Sequence, residues 1–343
     1  MSTTKLFNPL RVGNVEVAHR ITLPPLTPFR AGDGHIPLDM AVQYYEQRAS
    51  IRGTLLISEA IVISPRAGVY RNVPGLWSPE QIAQWRKVTD AVHGKVSYIY
   101  APLWAIGRMA DIEATREAAR VDAELISSSA VEYHPGLIPR EMAEEVIKDV
   151  INDFRIAASN ATSAGFDGVE IHGANGYLVD QFTQAAVNKR RDNPWSTYQG
   201  MAQDSDDELM EQFGYLARKT AEFTLAYVHL IEARVAGVVD VDVVPHRNLD
   251  VFFESYGRAS PVMVAGGYDG ESACEAADAH YKDYEVLVAI GRPWIANPGL
   301  PFRLRYGIPL RKYEREHFYT PRSTRGYIDY QFSDEFKARK AVA

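Results

Sequence analysis

The sequence predicts an α/β fold, a (β/α)8 barrel of the TIM type. Short apolar or β-branched runs alternate with longer amphipathic segments over most of the chain, which is typical of a parallel sheet flanked by helices. Residues suited to chemistry follow several different strands, as they do in barrels. The competing architecture, a doubly wound sheet, usually has a Gly-rich phosphate turn after its first strand. Gly32 and Gly34 lead into no helical pattern, so the barrel is preferred.

Seven short segments have the composition of buried strands, namely 20–25, 54–59, 96–101, 167–172, 226–231, 261–266 and 286–290. Between them lie helical patterns. One begins at Ser78-Pro79, because serine is a good N-cap and proline suits the first helical position. Two more cover 140–164 and 206–223, and the second of these is preceded by an acidic run that suits a helix N-terminus.

We expect the whole chain, 1–343, to form one domain. Its residues are 46% hydrophobic and 24% charged, which is ordinary globular composition, and no linker interrupts it. Residues 105–140 separate a strand from its helix and are predicted to form a lid. Together with the loop at 236–258 they are expected to shape a substrate pocket. The Pro-, Arg- and Tyr-rich segment 300–343 is predicted to pack across the outside of the barrel.

Several classes of protein are excluded by composition. The net charge is -7 without a basic block, so no nucleic-acid partner is expected. Cys274 is the only cysteine, which excludes an intrachain disulfide and a Cys-rich zinc site. His229 and His246 have no further ligand at metal spacing, and we interpret them as structural. No apolar run approaches the roughly 18 residues of a membrane span, and no signal peptide is visible, so a cytoplasmic location is expected.

The most informative segment is GVEIHGANGYL at 168–178. A strand ends at His172, and small residues then lead into a helical pattern, so an imidazole, an amide and a phenol meet at the barrel mouth. His172 and Asn175 can donate hydrogen bonds to one carbonyl oxygen, and Tyr177 can supply a proton. An isolated histidine and tyrosine would more readily be core residues, but the glycine spacing at a strand end favours a site.

Several longer motifs carry a specific resemblance. They are PLTPFRA at 25–31, YYEQRAS at 44–50, LLISEAIVISPRA at 55–67, IHGANGYLVDQF at 171–182, VAGGY at 264–268 and AIGRPWIANPGLPFRL at 289–304. With these motifs the chain resembles the old yellow enzyme family of flavin-dependent ene reductases, and most closely its fungal secondary-metabolism branch. The resemblance implies a barrel that holds FMN at its C-terminal face. NAD(P)H reduces the flavin, which then passes a hydride to the β-carbon of an enone.

The resemblance also implies roles for individual residues. Those matching flavin contacts are Pro25, Leu26 and Thr27 beside the isoalloxazine, Ala60 at its pyrimidine end, and Gly266, Gly267, Gly291 and Arg292 around the phosphate. Backbone N–H groups and a guanidinium suit such a dianion. His172 and Asn175 match the pair that binds the substrate carbonyl. Tyr177 matches the tyrosine that protonates the α-carbon, and Trp104 is expected to contact the substrate.

Two substitutions depart from the family pattern. Pro102 stands where the family has a glutamine that hydrogen-bonds the pyrimidine ring, and proline offers neither a side-chain donor nor an N–H. Pro28 replaces the arginine that usually follows the threonine in its loop, which would reshape only that turn.

The largest departure lies around residue 195. After Arg191-Asp192 the family continues through a helix and a strand that ends in Lys or Arg, whereas here residues 196–201 already resemble the family's segment beyond that strand. One helix–strand unit is therefore missing, roughly 30 residues of a barrel of ~250. The lost basic residue would lie beside N1 and the C2 carbonyl of the flavin. Reduced flavin, which is negative there, should then be harder to hold.

A seven-stranded barrel leaves a seam of unpaired backbone groups that must be covered. Residues 193–203, a partner subunit in a homodimer and a refolded neighbouring segment are the alternatives, unless the gap is a coding-sequence error or a shortened isoform. The leading functional hypothesis is an FMN-dependent NAD(P)H ene reductase acting on an α,β-unsaturated carbonyl compound. The alternatives are a flavin-independent isomerase or cyclase that uses the same barrel residues, and a non-catalytic relic.

Overall fold

The computed structural model describes residues 4–120, 123–191, 206–232 and 249–342. The strands in chain order are β1 (Leu10–Val12), β2 (Val15–Val17), β3 (Ile21–Leu23), β4 (Leu55–Ile57), β5 (Ile61–Val62), β6 (Tyr98–Trp104), β7 (Ile126–Ser127), β8 (Arg140–Glu141), β9 (Gly168–Ile171), β10 (Val228–Ile231), β11 (Val262–Ala265) and β12 (Val286–Ala289). The seven predicted strands correspond to β3, β4, β6, β9, β10, β11 and β12.

The α-helices are α1 (Asp39–Arg48), α2 (Pro79–His93), α3 (Ile112–Ala119), α4 (Glu144–Ser163), α5 (Leu178–Thr183), α6 (Asp206–Ala221), α7 (Asp250–Tyr256), α8 (Gly270–Glu275), α9 (Arg292–Ala296), α10 (Leu300–Tyr306) and α11 (Asp334–Val342). The three predicted helices are α2, α4 and α6. As expected, Ser78 caps α2, and Gln81 completes a capping box with it. The sequence pattern does not predict α1, whose buried face consists largely of tyrosines and an arginine.

The α/β fold with a curled parallel sheet is confirmed. The strands pair in the order β10–β11–β12–β3–β4–β6–β9, and β5 also pairs with the end of β6. In the described part of the chain, β9 pairs only with β6, and β10 only with β11. Among the described residues no strand lies between β9 and β10, and this gap corresponds to the predicted absence of one barrel unit. Ile171 on one side of this gap is 62% exposed and Ile231 on the other is 46% exposed.

The β6 strand continues to Trp104, beyond the predicted end at residue 101. The extension is stabilised on both sides, because Leu103 is in register with Ile61 of β5 and with Ile171 of β9. Pro102 thus lies within a central strand, although it cannot donate a ladder hydrogen bond.

The core has an inner and an outer layer, as the alternation of side chains in barrel strands requires. Leu55, Ile57 and Leu287 pack inside, together with the β1–β2 hairpin. The hairpin lies at the N-terminal ends of the strands, since Ala18 donates to the carbonyl of Gly53 just before β4. Alternate strand residues face the helices instead. The C-terminal ends of the strands are thereby left for a site.

Two peripheral segments have defined contacts. The predicted lid contains α3 and the paired strands β7 and β8. From the C-terminal segment, backbone carbonyls of His317, Phe318, Ser323 and Arg325 accept hydrogen bonds from Arg30. The roles assigned to both segments remain predictions. Among the described residues, no helix is long and apolar enough to cross a membrane.

Candidate active site

The loop after β9 turns through two consecutive left-handed residues. His172 still extends the ladder, since its N–H donates to the carbonyl of Leu103 at 3.1 Å. Asn175 has φ 61° and Gly176 has φ 76°, a conformation that asparagine and glycine tolerate best. The Gly176 N–H donates to Asp180 Oδ2 at 2.7 Å, so the first turn of α5 holds the loop in place.

This turn brings three of the predicted site residues together. The rings of His172 and Tyr177 have centroids 5.4 Å apart. Tyr177 in turn meets the indole of Trp104 edge-on at 4.7 Å. Asn175 lies on the same loop and is exposed. The imidazole, phenol and indole therefore form one wall at the ends of β6 and β9.

The electrostatics of this wall suit carbonyl binding and proton donation. Burial lowers the pKa of the His172 imidazole, against the opposing effect of Glu170, and the ring is neutral at neutral pH. His172 Nε2 is buried without a hydrogen-bond partner. Burial also raises the pKa of the Tyr177 phenol, with a further contribution from Tyr133. The phenol therefore keeps the proton that a general acid must supply.

The predicted flavin-ring contacts meet at the ends of β3 and β4. The Ala60 N–H donates to Thr27 Oγ1 at 3.4 Å, which joins the two strand ends. A Cβ at Gly291 would lie 3.2 Å from Pro24 Cγ and 3.3 Å from Leu26 Cδ2. Glycine at 291 thus allows β12 to approach the 25–27 loop closely.

The predicted phosphate residues follow β11 and β12. Gly266 has φ 150° and Gly267 has φ 78°, conformations that L side chains rarely adopt. A Cβ at Gly267 would meet no heavy atom within 4 Å, so open space adjoins the backbone there. Arg292 begins α9 directly after Gly291. Exposed backbone and a guanidinium at neighbouring strand ends form a cradle suited to a phosphate.

Three acidic or amide side chains near this mouth were given no role in the sequence analysis. Glu59 ends the LLISE run and is 3% exposed, and its Oε2 has no hydrogen-bond partner. Burial raises the pKa of Glu59 to about 8, although Arg30 opposes the shift. Glu232, after β10, accepts hydrogen bonds from the hydroxyls of Tyr268 and Tyr281. The position at a strand end was the available signal for both.

Gln181 is the third of these residues, and it is fully buried. Its Nε2 donates to the carbonyls of Gly176 at 2.8 Å and Ile106 at 3.2 Å, while its Oε1 accepts from Ser127 Oγ at 3.0 Å. The 105–140 segment is thereby tied to the loop that carries Asn175 and Tyr177. Its helical position gave no sign of this role.

The residues at the mouth fit FMN. The glycine cradle leaves room for a phosphate. Buried polar atoms without a partner include Trp104 Nε1 and His172 Nε2 at strand ends, and Thr22 Oγ1 within β3. A ring with polar edges would satisfy such atoms. Pro102 has no hydrogen-bond donor to offer the flavin ring, because proline lacks both an N–H and a polar side chain. His246 and most of the 236–258 loop lie outside the described residues.

A parallel barrel with a phosphate cradle after its last two strands is typical of flavin-dependent barrel oxidoreductases. Comparison with known proteins agrees: the chain belongs to the NADH:flavin oxidoreductase / NADH oxidase family, whose sequence model matches residues 5–200 and 193–311. It is thus an oxidoreductase of the old yellow enzyme type, with FMN as cofactor and NAD(P)H as reductant. The two matched stretches meet where the missing unit was predicted.

Individual relatives are similar over nearly their full length. A chanoclavine-I aldehyde reductase from Penicillium roqueforti is 48% identical over 375 positions, covering 99% of this chain and all of that protein. A probable inactive dehydrogenase from Claviceps fusiformis is 42% identical, and the alignment covers 100% of this chain and 98% of that protein. Old Yellow Enzyme from Pichia superposes with a TM-score of 0.84 at 29% identity, covering 97% and 95% of the two chains. The first alignment exceeds the 343 residues of this chain, in keeping with an internal deletion.

Proposed function

We propose that this protein is an ene reductase that reduces the C=C bond of an α,β-unsaturated aldehyde or ketone. The observation that carries the proposal is the wall formed by His172, Tyr177 and Trp104, with an unpartnered imidazole nitrogen beside a protonated phenol. The relative from Penicillium roqueforti is named for an aldehyde, which supports an unsaturated aldehyde as the substrate class.

The protein residues would act on the two ends of the enone. His172 and Asn175 bind the carbonyl oxygen and withdraw electron density, so the β-carbon becomes electrophilic. The hydride for that carbon would come from bound FMN that NAD(P)H has reduced. Tyr177 gives its proton to the α-carbon and is reprotonated from solvent, which completes a two-electron reduction. Thr27, Ala60, Gly266, Gly267, Gly291 and Arg292 would hold the cofactor, with Pro25 and Leu26 beside its ring.

The test begins with the purified protein. We expect a yellow protein whose bound-flavin spectrum bleaches anaerobically with NADPH and recovers when an α,β-unsaturated aldehyde is added. Mass spectrometry should then show the saturated aldehyde. A colourless protein that cannot be reconstituted with FMN would contradict the proposal.

A second candidate is a flavin-independent isomerase or cyclase that uses the same wall. Pro102 within β6 and the gap beside β9 favour it, because both remove expected contacts to the flavin ring. It predicts conversion of the unsaturated aldehyde without nicotinamide, at an unchanged rate when FMN is removed. Turnover that requires NADPH would exclude it.

A further inference from the structure

Two largely buried side chains face each other across the gap between β9 and β10. Nδ1 of His229 lies 3.3 Å from Oε1 and 3.2 Å from Oε2 of Glu170. The hydroxyl of Tyr227 donates to the same carboxylate at 2.7 Å. The side chains of Glu170 and His229 are 12% and 10% exposed. This polar cluster spans the space between the two edge strands.

The contacts determine which nitrogen of His229 carries a proton. Burial would raise the pKa of Glu170, but contacts with His229 and Tyr227 outweigh burial and lower it. Glu170 is therefore an ionised carboxylate, which only accepts hydrogen bonds. Nδ1 of His229 is therefore the donor to Glu170. Nε2 is left buried and without a hydrogen-bond partner, which in a folded protein calls for an explanation such as a ligand.

The cluster lies at the level of the missing flavin contacts. Glu170 is in register with Pro102, the position that the family resemblance assigns to the pyrimidine end of the ring. Two residues further along the strand is His172, the candidate carbonyl-binding group. The gap spanned by the cluster is where the resemblance places a strand ending in a basic residue. Among the described residues, His229 on β10 is a basic side chain that borders this gap.

We infer that His229, oriented by Glu170, takes up a proton at Nε2 when the flavin is reduced and donates a hydrogen bond to the anionic end of the ring. This inference rests on the proposed flavin-dependent function. Hydride transfer from NAD(P)H to a bound flavin would add one negative charge to the ring. One proton from solvent then goes to Nε2, and the charge inside the pocket is unchanged. Glu170 is a positioning residue that holds the imidazole and balances its charge.

The other titratable groups around His229 are not expected to take up this proton. Burial and the adjacent Glu170 raise the pKa of Tyr227 far above its usual value, so this phenol stays neutral. Tyr100, whose ring is 5.8 Å from that of Tyr227, also has a pKa raised by burial. His172 has a lowered pKa and faces the substrate wall. Among the described neighbours, the Glu170–His229 pair is therefore the group that we expect to take up the proton.

The test is the midpoint potential of the holoprotein as a function of pH, measured by spectroelectrochemistry. Each proton taken up with two electrons contributes about 30 mV per pH unit, the equivalent of a tenfold change in the equilibrium. We expect the wild-type holoprotein to take up two protons with the two electrons. The measurement is made at pH values where free FMN takes up only one proton on reduction. In His229→Gln, which keeps a donor but cannot titrate, we expect one proton and reduced FMN bound at least tenfold more weakly relative to oxidised FMN.

The matched control is Tyr227→Phe, which removes the other donor to Glu170 but leaves the imidazole in place, and which should retain the two-proton slope. Titration of the apoprotein with oxidised FMN separates the two proposals. If FMN binds but the wild type shows a one-proton slope, or His229→Gln is unchanged, the role of His229 is wrong while the function stands. If FMN does not bind, both fail. A one-proton slope in the wild type overturns the role of His229 even where His229→Gln does not fold.

Discussion

The phenol ring of Tyr177 meets the indole of Trp104 edge-on, with the ring centroids 4.7 Å apart. Tyr177 precedes α5 and Trp104 ends β6, so the contact joins a loop to the rigid sheet. Edge-to-face contacts of this kind stabilise a pair by about 0.5–1.5 kcal/mol. The indole thus fixes the direction in which the phenol presents its proton.

Tyr177→Phe should lower the rate of C=C reduction by about 10²- to 10⁴-fold, because it removes the general acid but preserves the ring contact. Reduction of the flavin by NADPH should be unaffected. Rapid-mixing measurements of the two half-reactions would separate these effects. The control is Tyr133→Phe, a partly exposed neighbour of the phenol. Equal losses in both variants would remove Tyr177 from its role as proton donor.

Gly267→Ala should weaken FMN binding, because a Cβ would enter the open space proposed for the phosphate. It should also cost on the order of 1 kcal/mol of stability, since φ is 78°. Gly307→Ala is a matched control: φ there is 64°, and its Cβ would also meet nothing within 4 Å. Thermal melting of the apoproteins should show similar losses. If the FMN dissociation constants of the two variants also agree, the phosphate does not lie at Gly267.

Glu59→Gln should change the pH dependence of stability. The carboxyl pKa is raised from 4.5 to about 8 in the folded protein, so folding favours the protonated form. This contribution is complete below about pH 4.5 and is lost as the pH rises towards 8. Urea unfolding at several pH values should show a loss on the order of a few kcal/mol across this range in the wild type. The loss should disappear in Glu59→Gln and persist in Glu145→Gln, an exposed carboxyl on α4.

Gln181→Leu should separate the 105–140 segment from the catalytic loop. The change leaves the carbonyls of Ile106 and Gly176 without their donor, at a cost of about 1–3 kcal/mol for each buried unsatisfied group. We expect faster amide hydrogen exchange at 105–110 and 174–178. Gln184→Leu serves as control, because the amide of the half-buried Gln184 donates to Asp180 Oδ1 within the same turn, at 2.9 Å. Exchange that is unchanged in Gln181→Leu would contradict the proposed connection.

Local features of the sequence predicted the barrel strands well, since each of the seven lies within a predicted segment or overlaps it. The end of β6 was wrong by three residues, because Leu103 is stabilised by partners on two other strands. Helix α1 was missed because its buried face includes Tyr44, Tyr45 and Arg48 rather than aliphatic residues. Burial of the arginine depends on carbonyls of Ile295 and Tyr327, far along the chain.

The candidate site also has a part that the sequence predicts and a part that it does not. The loop from His172 to Tyr177 could be predicted, because glycine and asparagine at a strand end act over a few residues. His229 was interpreted as structural because no ligand lay at nearby spacing. Its partner Glu170 is 59 residues away, and only the order of the strands brings the two to opposite sides of the gap.

By itself the sequence determined the class of fold, the loss of one barrel unit and the residues at the strand ends, since residue alternation, turn residues and motifs are local properties. The tertiary structure alone decided that Glu170 and His229 span the gap, that Glu59 is buried and favours its protonated form, and that Gln181 joins the 105–140 segment to the site. These depend on desolvation and on contacts between distant segments, which arise only when the sheet curls and brings its strand ends together.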